Sequence, residues 1–305
     1  FVVGTMWLIA DCGLRIADFG ARNSSVTPSP LRFFLAAVFA GLAVGAKFSA
    51  VLLFLPLAVA AWVGFGERWG RWLLGGVLVA FFAFFLTNPF AVLDWSCEVM
   101  TPATAVGPLT IPEINWRSCY LDNISAQSVM VGGGGDVPFT RQYEGTLPYL
   151  YPIEMQLKWG MGWPLGLAAF AGFGWAVWEF VRRLKIQDWR FWRWFDLHSS
   201  RFNLRSLLLL TWAVPFFLVT GGFYVKFMRY MQPLTPFLML FAAALVWQLG
   251  KRWRGWVAGA VVAGTAVYAL AFIGIYNVPH PWLTASAWMY ANVEPGALIL
   301  SEQWD

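Results

Sequence analysis

Charge is what this chain has least of. Only 12% of its 305 residues are Asp, Glu, Lys or Arg, about half the roughly 25% that a water-facing globular chain carries. So little charge, with 59% apolar residues, excludes both a cytosolic enzyme and a disordered tail. Three cysteines are too few for a small disulfide scaffold. The two histidines do not form the paired spacing of a metal site. No basic run interleaves with aromatics on a polar face. The net charge of +5 and isoelectric point near 9.2 therefore do not describe a nucleic-acid binder. No positively charged leader precedes the apolar run that opens at Phe1, so the chain reads as an internal piece of a longer protein.

What is abundant is apolar and aromatic. Twenty tryptophans, 18% aromatic residues and a mean hydropathy of +0.59 predict an all-α polytopic membrane protein. A helix needs about 20 mostly apolar residues to cross the hydrocarbon core. Candidate spans are 1–10, 31–46, 51–65, 72–86, 163–181, 207–220, 233–249 and 256–275, about eight in all. The expected organisation is transmembrane helices over 1–86, a long loop with interfacial helices over 87–162, and transmembrane helices over 163–276. From 277 to 305 an extracytoplasmic α/β domain begins: a helical pattern, a Glu294-Pro295-Gly296 turn, and a strand-like run from Ala297 to Leu300.

The basic residues sit between these segments and act as topology signals. Fifteen of the 21 Lys and Arg residues fall on one side of an alternating path, including Arg32, Arg68, Arg71, Lys251, Arg252 and Arg254. That side is cytoplasmic by the positive-inside bias. The outer side keeps six: Lys47, Arg117, Arg141, Lys158, Lys226 and Arg229. Ten of the sixteen acids lie there too. Cys97 and Cys119 share the outer loop and read equally as a disulfide or as two thiols, whereas Cys12 falls at a membrane boundary. The four glycines Gly132 to Gly135 read as a flexible hinge, because they lack the strand-to-helix setting of a phosphate loop.

The outer cations are the candidates for chemistry, since the bias works against them. Lys47 lies in GAKFSA, in a tight turn at the membrane surface, where a charge usually has a partner. It reads either as a lysine snorkelling to lipid phosphate or as a cation that holds the phosphate of a lipid-linked substrate. Lys226 and Arg229 stand three residues apart in KFMRYMQPLTPFL, so on a helical turn they share a face. A helix is expected to start near Pro233. Arg suits phosphate through its planar fork and Lys as a point charge. Substrate-site candidates besides these are Asp94, Tyr143, Glu144, Tyr230 and His280. Each acid taken singly, Glu154 included, reads more readily as structural. His280 is lone, so no metal site and no cofactor is identified, and metal dependence stays open.

Five pieces in order, GLAVGAKFSAVLLFLPLA, FFLTNPFAVLDW, TRQYEGTLPYLYPIEMQLKWGMGWPLGL, KFMRYMQPLTPFLML and ASAWMYANVEPGALILSEQWD, resemble a known family. They are similar to the polyprenyl-phosphate-dependent membrane glycosyltransferases of the C-type fold, such as protein O-mannosyltransferases and aminoarabinose lipid A transferases. The resemblance implies transfer of a sugar from a polyprenyl-phosphate donor to a protein, lipid or glycan acceptor at the outer face of the cell membrane. It places Lys47, Lys226 and Arg229 near the donor phosphate. It also puts the acidic general base in an outer loop upstream of Phe1, so the catalytic residue is unknown here. A multi-pass transporter or lipid flippase, and a non-catalytic membrane scaffold, are the alternatives.

Overall fold

The computed structural model describes residues 1–17, 29–95, 104–106, 109–111, 118–135, 138–186 and 201–298. It is mostly helical. Every apolar segment expected as a span is helical: α1 (Val2–Ala17), α2 (Pro30–Ala46), α3 (Phe54–Phe65), α4 (Trp69–Thr87), α8 (Trp163–Ile186), α9 (Arg201–Gly221), α10 (Thr235–Gln248) and α11 (Lys251–Ile273). Between them lie the shorter α5 (Phe90–Leu93), α6 (Cys119–Val131) and α7 (Leu150–Met155), and α12 (Pro281–Asn292) closes the described chain. A small antiparallel hairpin, β1 (Thr104–Val106) with β2 (Leu109–Ile111), pairs Ala105 with Thr110.

Three helical stretches, Phe48–Thr87, Trp163–Arg182 and Lys251–Asn292, are long and apolar enough to cross a membrane, which marks the chain as a membrane protein. Among the described residues the full set of eight spans is not reached. The described apolar helices Pro30–Ala46, Leu207–Gly221 and Thr235–Gln248 are shorter; the 14 residues of α10 rise about 21 Å against a hydrocarbon core of about 30 Å. Helix α11 is exposed along its length: Val262, Val267 and Leu270 are each more than two-thirds exposed, and the helix has no buried residue.

Local sequence explains the ends of these elements. Proline opens α2, where its missing N–H would go unbonded in any case. Ser118 caps α6 by accepting the N–H of Leu121 at 3.4 Å. Helix α10 begins at Thr235, two residues later than the sequence suggests, because Gln232 and Pro233 belong to the turn before it. Between α3 and α4 the chain reverses at Gly66, whose φ of +52° suits a residue without Cβ, and Phe65 then stacks on Trp72 at 4.2 Å.

Small residues bring the helices together. A Cβ on Gly41 of α2 would lie 2.1 Å from the carbonyl oxygen of Ala80 on α4. One on Gly172 of α8 would lie 2.3 Å from that of Phe241 on α10. Backbones in such contact are the small-residue packing typical of helices in lipid. The buried core runs through Phe33, Ala36, Ala37, Ala40 and Leu57 to Trp212, Phe216, Phe237 and Phe241.

These packings gather the C-terminal ends of α2, α4, α9 and α11 and the N-terminal ends of α8 and α10 at one end of the bundle. Gly45 there meets Asn88, and Gly162 meets Tyr268. At that end α12 forms as expected and stops before the turn at Glu294–Gly296, closed by Ala297 N–H to Glu294 O at 3.1 Å. Ala297 and Leu298 are not in a strand. The remainder of the expected strand, and with it the α/β domain, lies outside the described residues. So does Cys97, and with it the question of a bond to Cys119.

Candidate anion-binding site

Lys47 occupies the point where α2 stops. Its backbone turns extended (φ −157°, ψ 118°), its N–H bonds Ala43 O at 2.9 Å, and a 3₁₀ turn, Phe48–Leu53, carries the chain on into α3. The second half of the site comes from the connection between α9 and α10. There Tyr224 and Val225 donate their N–H groups to Val131 O at 3.0 and 3.2 Å, at the end of α6. Gly133, at φ +87°, lies beneath the Tyr224 ring. The glycine run is thus a packed helix stop rather than the expected hinge: a Cβ on Gly133 would meet the ring at 2.9 Å.

Beyond Tyr224 the cations Lys226 and Arg229 part company. Phe227 is extended and only Met228–Tyr230 forms a 3₁₀ turn, so Lys226 and Arg229 do not share the expected helical face. Lys226 is buried, at 4% exposure. It donates to Thr146 Oγ1 at 3.0 Å and Tyr224 O at 2.9 Å, with the Tyr224 ring at 5.6 Å. Burial lowers its pKa below the ordinary lysine value. Its ammonium ties the 138–155 segment to the α9–α10 connection.

Arg229 is exposed and meets Lys47 instead. The Lys47 ammonium donates to Arg229 O at 3.4 Å and stands 5.1 Å over the Tyr230 ring. The Arg229 guanidinium lies 4.6 Å over Phe227 and 6.0 Å from Tyr230. Burial and then the Arg229 charge lower the Lys47 pKa. Two neighbouring cations, with neither in an ion pair to a described residue, form a region of unneutralised positive charge. Lys158 is a contrast, since it pairs with Glu154 one helical turn away.

Aromatic side chains wall this region. Tyr143 is buried, with its ring edge against Phe227 at 5.7 Å and Tyr151 at 5.8 Å. Phe227 also meets Tyr230 at 5.6 Å and Phe139 at 6.1 Å. Burial pushes the Tyr143 phenol up to about 12; Tyr151 and Tyr230 add to the shift while Arg229 opposes it. At neutral pH the phenol therefore keeps its proton and can donate to an anion.

The other sequence candidates make local contacts that do not involve Lys47 or Arg229. Asp94 ends α5, and its carbonyl accepts the N–H of Cys119 at 3.3 Å, fastening α6. Glu144 is exposed and its N–H closes a turn on Arg141 O. His280 is a helix cap: Nδ1 accepts the N–H of Trp282 at 3.2 Å and the ring packs on the Trp282 indole. Among the described residues no cluster of His, Cys, Asp or Glu could hold a metal.

Sequence reading passed over Gln156 and Tyr149. Gln156 is buried in a five-residue π turn, Gln156–Gly160, and its amide donates to Met228 O at 3.3 Å. Tyr149, at φ +62°, donates its N–H to Gly221 O at 2.9 Å and its hydroxyl to Leu218 O at 3.3 Å, covering the last carbonyls of α9. The available signal was weak: one of two glutamines and one more tyrosine in a stretch already dense in aromatics.

Chemically, a half-buried ammonium and an exposed guanidinium against aromatic rings suit a phosphate or other compact anion. In comparisons with known proteins, the chain matches no protein-family model, no curated protein and no solved structure.

Proposed function

We propose that this chain is part of a multi-pass membrane glycosyltransferase that moves a sugar from a polyprenyl-phosphate donor to an acceptor at the extracytoplasmic face. One observation carries the reading: Lys47 and Arg229, 182 residues apart in sequence, meet at one end of the bundle without a carboxylate partner among the described residues. That end is the one poor in Lys and Arg, which under the positive-inside rule faces away from the cytoplasm. The resemblance of the five ordered segments to C-type-fold glycosyltransferases adds to it.

In the proposed mechanism the prenyl tail stays among the helices while the phosphate lies against Lys47 and Arg229. A carboxylate, not assigned to any residue here, takes the proton from the acceptor hydroxyl. The acceptor oxygen then attacks the anomeric carbon and inverts it. The bond from that carbon to the phosphate oxygen breaks, and the two cations stabilise the charge left on the phosphate. Lys226 acts from behind, holding the segment that carries Arg229.

The test is sugar transfer from a polyprenyl phosphate by the full-length protein, with Lys47→Ala and Arg229→Ala made separately. Each should lower turnover by on the order of 10²-fold, as loss of a charge-stabilising donor does elsewhere, with membrane insertion intact. Unchanged turnover in both variants refutes the proposal. A second reading, a lipid-phosphate transporter, has one observation in its favour: Pro215 lies inside the continuous helix α9, where it removes one backbone hydrogen bond. It requires movement of lipid between leaflets with no sugar transferred.

A further inference from the structure

The turn that bears Arg229 is gripped on two successive carbonyls by side chains from distant parts of the chain. Met228 O accepts the Gln156 amide at 3.3 Å, and Arg229 O accepts the Lys47 ammonium at 3.4 Å. We infer that Gln156 is a positioning residue for the anion site, setting the Met228–Tyr230 turn so that the Arg229 guanidinium and the Lys47 ammonium converge on one ligand. The inference rests on the anion-binding reading of that site and deepens it.

Three features make Gln156 suited to the task. It is 3% exposed, so its amide does not exchange the carbonyl for water. It opens a π turn, a widened geometry frequent at functional sites, closed by Met161 N–H to Gln156 O at 2.8 Å. And Gly160 leaves room for its other amide atom: a Cβ there would lie 2.1 Å from Gln156 Oε1. The amide therefore has Nε2 bonded to the turn and Oε1 packed beside Gly160. The π turn is itself anchored, because the Tyr268 hydroxyl on α11 donates to Lys158 O. A rigid path thus runs from α11 through the π turn to the backbone of Arg229. Its purpose is geometric, since an anion held by two cations needs both at fixed separation, and the 3₁₀ turn alone is too short to fix itself.

The experiment measures binding of a polyprenyl monophosphate to the full chain in lipid nanodiscs. Gln156→Met keeps the length of the side chain and removes the donor; Gln156→Asn keeps the amide and withdraws it by one methylene. Each is expected to weaken binding roughly tenfold, the effect of about 1.4 kcal/mol. The deciding readout is the same pair of substitutions in an Arg229→Ala background. A residue acting through Arg229 has little left to lose there, whereas general loosening of the fold lowers affinity equally in both backgrounds. Unchanged affinity in both Gln156 variants, or equal loss with and without Arg229, overturns the inference while leaving the anion site standing. If Lys47→Ala and Arg229→Ala themselves bind as tightly as the unmodified chain, the anion-site reading fails and this one with it.

Discussion

At the residue scale the chemistry rests on how the protein treats two lysines that sequence alone makes equivalent. Lys226 is buried and bonded to Thr146 and Tyr224; Lys47 is half-buried with a guanidinium for a neighbour. Burial, reinforced by Arg229, lowers the Lys47 pKa from its ordinary 10.5. The unfolded chain then holds that proton more tightly than the folded one. Between the folded value and 10.5 the unfolded state carries the extra proton, so the Lys47 contribution to stability becomes more favourable as pH rises through that window. Below the window the cost of the buried charge is constant. Lys47→Met, which keeps the apolar stem, is therefore expected to melt higher than the unmodified protein at neutral pH, by roughly 2–4 °C for each kcal/mol relieved. The difference should shrink as pH approaches 10.5, and a gap independent of pH would contradict this account of the site. Because Lys226 is common to both proteins, its own lowered pKa cancels in the comparison.

At the scale of elements the bundle depends on a few glycines where backbones touch. The contact of Gly41 with the Ala80 carbonyl leaves no space for a side chain, and the neighbour is backbone, which cannot rotate away. Gly41→Val should separate α2 from α4 and cost about 1–3 kcal/mol, typical of overpacking, read as a lower melting temperature in detergent. Gly255, on the exposed start of α11, has nothing within 4 Å of its Cβ position. Gly255→Ala is expected to be neutral or to gain up to about 1 kcal/mol from helix propensity. Equal losses at both positions would mean that close approach is not what matters at Gly41. The same packing has a consequence for the site: Gly45, four residues on, meets Asn88 at the end of α4, so displacing α2 would also displace Lys47.

For the whole molecule the central question is which end faces which compartment. Arg32, Arg68, Arg71, Lys251 and Arg252 collect at one end, and Lys47, Lys226 and Arg229 at the other; the proposed orientation, with the first end cytoplasmic, is the one the positive-inside rule favours. With the three native cysteines replaced by serine, Glu144→Cys should react with a membrane-impermeant maleimide on intact cells. Glu67→Cys, exposed beside Gly66, should react only after permeabilisation. The reverse pattern would put the anion site on the cytoplasmic side and remove an extracytoplasmic reaction. Much of this architecture is legible in the order of residues. Eight apolar runs become helices because taking about fifteen successive apolar residues out of water leaves the backbone no partner but itself. Stops appear where Gly, Pro or Asn occurs, as at Gly66 and Asn88. Whether a helix reaches across a membrane is less legible, since α10 loses its first residues to a turn closed by Met231 and Gln232 carbonyls. The site is legible only as a set of unexpected cations. Which of them meet is decided by contacts between positions as far apart as Lys47 and Arg229, and no local spacing encodes that distance. The helical i, i+3 rule would join Lys226 to Arg229; an extended Phe227 and a buried ammonium separate them. Sequence by itself determined where the helices lie and the end of the bundle where the unusual charges sit, because these follow from composition over a few turns. Tertiary packing alone decided that Lys47 faces Arg229, that Lys226 turns inward and that Gln156 reaches Met228, because those outcomes depend on how helices dock and not on what any one of them contains.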